Sequence, residues 1–279
     1  MLVAALVWQG GLPIATRVGR VTVVAWPAQA ALGTALADAA DRAPPFPDLG
    51  PAPPLPIRLI LAPDRARFDS ITRGRLPGWS AGAAFPETGT IVLLADARVD
   101  RDLAAMRHEL AHVALRRRIG RRAPLWFEEG FAAVAAGEWD RLDALRLDWQ
   151  LARGVSMDLD SLDQALRGDA SDAGAAYGLA TTAVLLLRRW GGAAGLRPFL
   201  DHLATAPTFE QALRDTYHIT GGDFEQRWQR DVASRYGWLG WAQSVGAFWA
   251  VLAVLLIVLV RLRRGRDAAR KAALDLPSP

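Results

Sequence analysis

Arg107–Arg118, RHELAHVALRRR, is the stretch around which this chain organises. It lies within Arg101–Ile119, a run without Gly or Pro that predicts a helix, with Asp100 or Asp102 to cap its start and Gly120 to end it. Positions four apart on a helix share a face. His108 and His112 therefore present two imidazoles toward one point, and Ala105 and Arg116 extend their stripe. Leu103, Met106, Leu110 and Val113 form a separate apolar face that can anchor the helix in a core. A packed back and a ligand-bearing front suit a metal site. Glu109, one position along, points about 100° away from His108 and is not expected to chelate beside the histidines.

Upstream, Val21–Trp26 (VTVVAW) and Ile57–Ala62 (IRLILA) read as short buried strands. A helix over Ala28–Arg42 lies between them, with Pro27 at a tolerated first position. The Pro-rich Ala43–Pro56 reads as a connector inside the domain, because strand-like sequence resumes at once. Asp64–Arg73 predicts a short helix. Gly82–Phe85 and Thr90–Ala95 predict strands joined by a turn at Pro86–Gly89. Downstream the chain reads as helical: Pro124–Ala136, Asp140–Arg153, Ala173–Trp190, Leu196–Ala204, Phe209–Tyr217 and Asp223–Tyr236. Gly191-Gly192 and Gly221-Gly222 read as stops. The expected fold class is α+β: a small N-terminal mixed β-sheet, then a helical half, with the His108–His112 helix at the junction.

The 279 residues have 51% hydrophobic content, enough for a sizeable core. The net charge of +4 comes from arginine, Lys271 being the single lysine. No aromatic–basic interleaving accompanies it, so nucleic acid is not an expected partner. The absence of cysteine excludes disulfides, thiolate ligands and a Cys nucleophile. Val245–Val260 (VGAFWAVLAVLLIVLV) is almost wholly apolar and follows Trp238 and Trp241, with Arg261–Arg266, Arg270 and Lys271 beyond it. About 20 apolar residues span a bilayer, which predicts a transmembrane helix. The positive-inside rule puts the basic tail in the cytoplasm and the upstream domain outside. The expected organisation is a leader or truncated signal segment over 1–20, one domain over 21–236, a membrane helix over 237–260 and a cytoplasmic tail over 261–279.

A tetrahedral metal that keeps one position for water needs a third protein ligand. His202 and His218 lie far downstream and read as surface or cap residues. Glu128 and Glu129, on the next predicted helix, are both within reach, and spacing alone does not choose between them.

His108-Glu109-x-x-His112 is the signature of helical zinc peptidases, in which the Glu takes a proton from the attacking water and passes it to the leaving amine. Followed by Trp126-Phe127-Glu128-Glu129-Gly130-Phe131-Ala132, it resembles the gluzincins, whose H-E-x-x-H is followed by a helix bearing W-x-x-E-G-x-A. Matched residue by residue, Glu129 is then the third ligand of Zn²⁺ and Glu109 the catalytic base. The strand–helix–strand start, Gly82–Ala84, the strand at Thr90–Ala95, and Tyr177-Gly178 opening a later helix are similar to the bacterial peptidase MA-like group. The resemblance implies a zincin-like fold and a peptide or protein substrate. Nothing like a full exopeptidase G-x-M-E-N segment is present. Tyr177 is a candidate oxyanion donor, and the strand around Ala81–Phe85 a candidate for substrate binding by β-augmentation.

The expected function is a membrane-anchored zinc peptidase. The alternative is a catalytically silent anchored module with the same fold. An intramembrane protease is disfavoured, because Arg107 and Arg116–Arg118 flanking the motif would be costly at bilayer depth. Oligomeric state is not readable.

Overall fold

A computed structural model describes residues 11–50, 56–95, 98–152, 158–168 and 170–236, with scattered positions between 246 and 261. Five strands form one sheet in the order β1-β2-β3-β5-β4. β2 (Val21–Ala25) and β3 (Ile57–Ala62) pair in parallel with Val21 opposite Ile57, and β3 pairs in parallel with β5 (Thr90–Leu94). β1 (Ile14–Val18) lies antiparallel on β2. β4 (Gly82–Phe85) lies antiparallel on β5, Gly82 opposite Leu93, and is the edge strand next to the site described below.

Alternation decides which side of each strand is covered. Val21, Val23, Ala25, Leu59, Leu61, Ile91 and Leu93 point to one face. There they bury Leu36 of α1 (Ala30–Asp41) together with Met106 and Val113 of α3 (Val99–Ile119). On the other face Ala62, Ala83 and Val92 cover Phe68 of α2 (Arg65–Thr72), a helix capped by Asp64, whose side chain accepts from the Arg67 N–H. β5 is thus buried on both faces, which is why its sequence is a continuous apolar run.

The helical half comprises α4 (Leu125–Ala136), α5 (Arg141–Ala152), α6 (Leu159–Ala165), α7 (Ala170–Trp190), α8 (Arg197–Thr205), α9 (Phe209–Tyr217) and α10 (Gly221–Tyr236). Phe127, Phe131, Phe199, Phe224 and Trp228 fill its core, and the buried Trp228 indole donates to Thr182 Oγ1 at 2.9 Å. The motif helix α3 separates the two cores. Met106 and Val113 face the sheet, Ala111, Leu115 and Ile119 face the helices, and the remaining strip carries His108 and His112. α4 and α7 meet closely at Gly130: a β-carbon there would stand 2.7 Å from the Ala180 carbonyl carbon and nearer still to its oxygen.

Several expectations need correction. Residues 1–20 read as a leader, yet Ile14–Val18 form β1; mostly exposed and only five residues long, it has no buried alternation to announce it. Neither Asp100 nor Asp102 caps α3, which begins after Arg98; both acids lie inside its first turn, where they favour the helix dipole. Gly120 does end α3, in the left-handed conformation. Gly221-Gly222 opens α10 instead of stopping α9, which ends on His218 in a left-handed conformation. Tyr177 lies within α7, well past its start at Ala170. α6 is an element the hydrophobic pattern does not announce. The Pro-rich connector is pinned to the domain: the Asp48 carboxylate accepts from the Leu196 N–H at 3.1 Å, and Phe46 lies under the Arg107 guanidinium.

Among the described residues no helix is long and apolar enough to cross a membrane. The predicted span and the basic tail after it lie largely outside the described residues. Those of the span that are described, including Trp249 and Leu252–Ile257, are helical and exposed.

Candidate metal centre

His108 and His112 stand one turn apart on α3 with ring centroids 4.9 Å from each other. α4 crosses in front of them and delivers Glu129, whose Oε2 lies 3.3 Å from His108 Nε2 and 3.6 Å from His112 Nε2. One donor atom from each of the three residues lies within 4.8 Å of the other two. Donors held tetrahedrally at about 2.0–2.1 Å from one zinc stand about 3.3–3.4 Å apart. Two imidazole nitrogens and a carboxylate oxygen at these separations, open to a groove, fit a Zn²⁺ ion with one position left over.

The neighbouring Glu128 is turned elsewhere. Its Oε1 accepts from the Ala123 N–H at 2.9 Å and faces Arg116 Nη2 at 3.7 Å, closing the turn into α4. The orientation of α4 is set at a distance. Pro124 gives no side-chain cap, and Asp163 of α6 supplies it, accepting from the N–H groups of Leu125 (3.2 Å) and Trp126 (2.7 Å).

Electrostatically the cluster is a coupled acid–base set. Burial disfavours charge on His108, but hydrogen bonds and charge from Glu129 and Glu138 outweigh it and raise its pKa well above the ordinary value. His112 is raised in the same way, burial being outweighed by Glu129. Burial also works against ionising Glu129, yet the His112 charge and hydrogen bonds from both histidines hold its carboxyl far below the usual range. Glu109, 8% exposed and outside the donor cluster, has its pKa raised by burial.

The cluster opens on a groove of about 770 Å³. One wall is the edge strand β4. Trp79 and Tyr177 also line the groove, packed edge to face at 5.8 Å. The Tyr177 hydroxyl faces Glu129; burial first, then the charge of Glu129 and a hydrogen bond with it, raise its pKa well above the ordinary value, so it remains a donor.

Two residues, Glu138 and Trp79, and one contact of Gly82 escape the sequence reading. Glu138 Oε2 lies 3.0 Å from His108 Nδ1; its only local signal is Gly137, whose left-handed conformation ends α4 and turns the chain back toward α3. Trp79 sits in a loop with no periodicity to read. Gly82 approaches Glu109 so closely that a β-carbon would stand 3.0 Å from its Cγ and Cδ. The other two histidines are apart from the site: His202 Nδ1 pairs with Thr216 Oγ1 at 2.8 Å, and His218 is the end of α9.

A mixed sheet backing a helix whose paired histidines meet a carboxylate in an open groove defines a zincin-like, peptidase-type α+β domain. The chain belongs to the Peptidase MA superfamily, whose family profile matches residues 64–234, from the cap of α2 to the last turns of α10. No curated protein matches the chain.

Proposed function

We propose that this protein is a gluzincin-type zinc peptidase, with His108, His112 and Glu129 as metal ligands and Glu109 as general base. The observation that carries the reading is the convergence of Glu129 Oε2 on both histidine Nε2 atoms at zinc-sized separations. A zinc ion there supplies a Lewis acid that polarises the scissile carbonyl and makes water acidic near neutral pH. The chain's own residues do the remainder. An extended peptide pairs along β4, the free edge beside the groove, which brings its carbonyl over the cluster. Glu109, its pKa raised by burial, takes the proton of the attacking water and returns it to the leaving amine. Tyr177 keeps its proton and donates to the oxygen that gains charge.

The same reading places the domain on a membrane through Val245–Val260, with the basic residues from Arg261 onward in the cytoplasm and the peptidase outside. The exposed apolar side chains of Trp249, Leu255, Leu256 and Leu259 support it.

The test is metal content and turnover in the full-length protein. About one zinc per chain is expected, with Glu109→Gln keeping the metal and losing at least ~10²-fold in kcat. A Glu109→Gln variant that cleaves as fast as the parent removes the proposed mechanism. Protease accessibility of the domain in sealed cells decides its side of the membrane.

A further inference from the structure

Three guanidiniums line the same groove without a carboxylate ion-pair partner among the described residues. Arg75 follows α2, Arg122 lies in the turn after α3, and Arg167 follows α6; all three are exposed. Arg167 donates to a neutral group, the Asp163 backbone carbonyl at 2.8 Å, and no described carboxylate forms an ion pair with it. The carboxylates of the groove are engaged elsewhere. Glu129 is taken by the two histidines, Glu128 by the Ala123 N–H, Arg116 and, at longer range, the charge of Arg122, and Glu109 is buried against Gly82. The rim that carries these cations is also tied down. Trp79 Nε1 donates to the Gly168 carbonyl at 3.1 Å, and the Arg65 guanidinium donates to the carbonyls of Pro77 and Ser80. The segments that carry Arg75 and Arg167 are therefore tied to each other through Trp79 and Gly168.

A cleft whose exposed charges are cationic, its carboxylates being buried or engaged, concentrates ligands of the opposite sign, and the guanidinium fork matches a carboxylate in two parallel hydrogen bonds. It also repels the wrong partner. We propose that the groove selects peptides bearing carboxylates near the cleavage point, through Arg75, Arg122 and Arg167. This selection rests on the peptidase reading and names its substrate class.

The test uses the full-length, zinc-loaded protein and three fluorogenic peptides with amidated C-termini, differing only in Glu, Gln or Lys on both sides of the cleaved bond. A fourth peptide is the Gln sequence with a free C-terminal carboxylate. The expected order of kcat/KM is Glu over Gln over Lys, with about tenfold between neighbours at low salt and less as salt rises. The double variant Arg75→Glu, Arg167→Glu is expected to bring the Lys peptide above the Glu peptide. A gain for the Glu peptide assigns recognition to acidic side chains, and a gain confined to the free terminus assigns it to a chain end. Equal rates across all four peptides overturn the proposal, as does an order that the double variant leaves unchanged. Should no peptide be cleaved, the peptidase reading falls but the groove is still tested by fluorescence anisotropy. Labelled Glu peptide binding about tenfold tighter than labelled Lys peptide supports the charge selection, and equal binding overturns it.

Discussion

The carboxylate of Glu109 lies directly against the α-carbon of Gly82: a β-carbon at that position would stand 3.0 Å from Glu109 Cγ and Cδ, and closer still to Oε1. The glycine carries no positive φ, so its role is room and not backbone conformation. It joins the edge strand to the motif helix at the one residue proposed to move protons. A strand that offers its edge to a substrate thereby also sets where the base stands relative to that substrate.

Gly82→Ala should separate activity from stability. The obstructed atoms belong to the far end of a flexible side chain, so Glu109 can swing aside while the strand stays paired. A displacement of about 1 Å in a reacting group costs on the order of 10² in rate. We expect kcat to fall by about 10–100-fold, with zinc content and melting temperature close to the parent. Unchanged peptide turnover in steady-state kinetics would show that Glu109 does not need this position.

Gly130→Ala should do the reverse. Here the added methyl meets the backbone carbonyl of Ala180, fixed in the middle of α7, and no side chain can yield. Overpacking between buried helices costs about 1–3 kcal/mol. The two helices also bring Glu129 and Tyr177 together, so loss of stability and loss of zinc should appear in the same variant. Thermal unfolding at fixed zinc measures it, and a melting temperature equal to the parent would mean that α7 can retreat without cost.

Glu138 is expected to orient His108. A carboxylate can only accept, so its 3.0 Å contact draws a ring proton to Nδ1 and leaves Nε2 free to offer its lone pair to a metal at the point where the three donors converge. Outer partners of ligating histidines typically contribute 10–100-fold in metal affinity. Glu138→Ala should weaken zinc binding by about that factor, and Glu138→Gln, which can still accept, by less. Competition against a fluorescent chelator reads the order Glu, Gln, Ala; equal affinity for all three removes the role.

How much of this was readable beforehand depends on the range of the contact. The pairing of His108 with His112 follows from helical spacing, and the bounds of β3, β4 and α9 follow from local pattern. The choice between Glu128 and Glu129 does not, because it depends on the rotation of α4. That rotation is set by Asp163 in α6, a short helix with mixed polarity and no strong period. Trp79 meets Tyr177, and Glu138 meets His108, across chain separations where no periodic signal survives. β1 is exposed on both faces, so alternation could not reveal it.

Zinc should stabilise the protein more as pH rises. In the metal-free site His108 is raised well above its ordinary 6.5: burial opposes the charge, and Glu129 and Glu138 overcome it. A raised histidine pKa stabilises the folded state fully below 6.5, and that contribution disappears as pH climbs through the raised value. Glu129, held below its ordinary 4.5 against the opposing effect of burial, contributes above 4.5 and loses that contribution as pH falls through its lowered value. Both contributions are therefore complete between 4.5 and 6.5, where protonated His108 and the Glu129 carboxylate pair with each other in place of a metal. Zinc must displace that proton to use the Nε2 lone pair, so its apparent Kd should fall about tenfold per pH unit while one proton is released. The rise in melting temperature on adding zinc to chelator-treated protein should accordingly grow from pH 5 to pH 8. An apparent Kd that stays constant over this range, measured by titration with protein at equal ionic strength, would mean that the metal does not bind through these histidines.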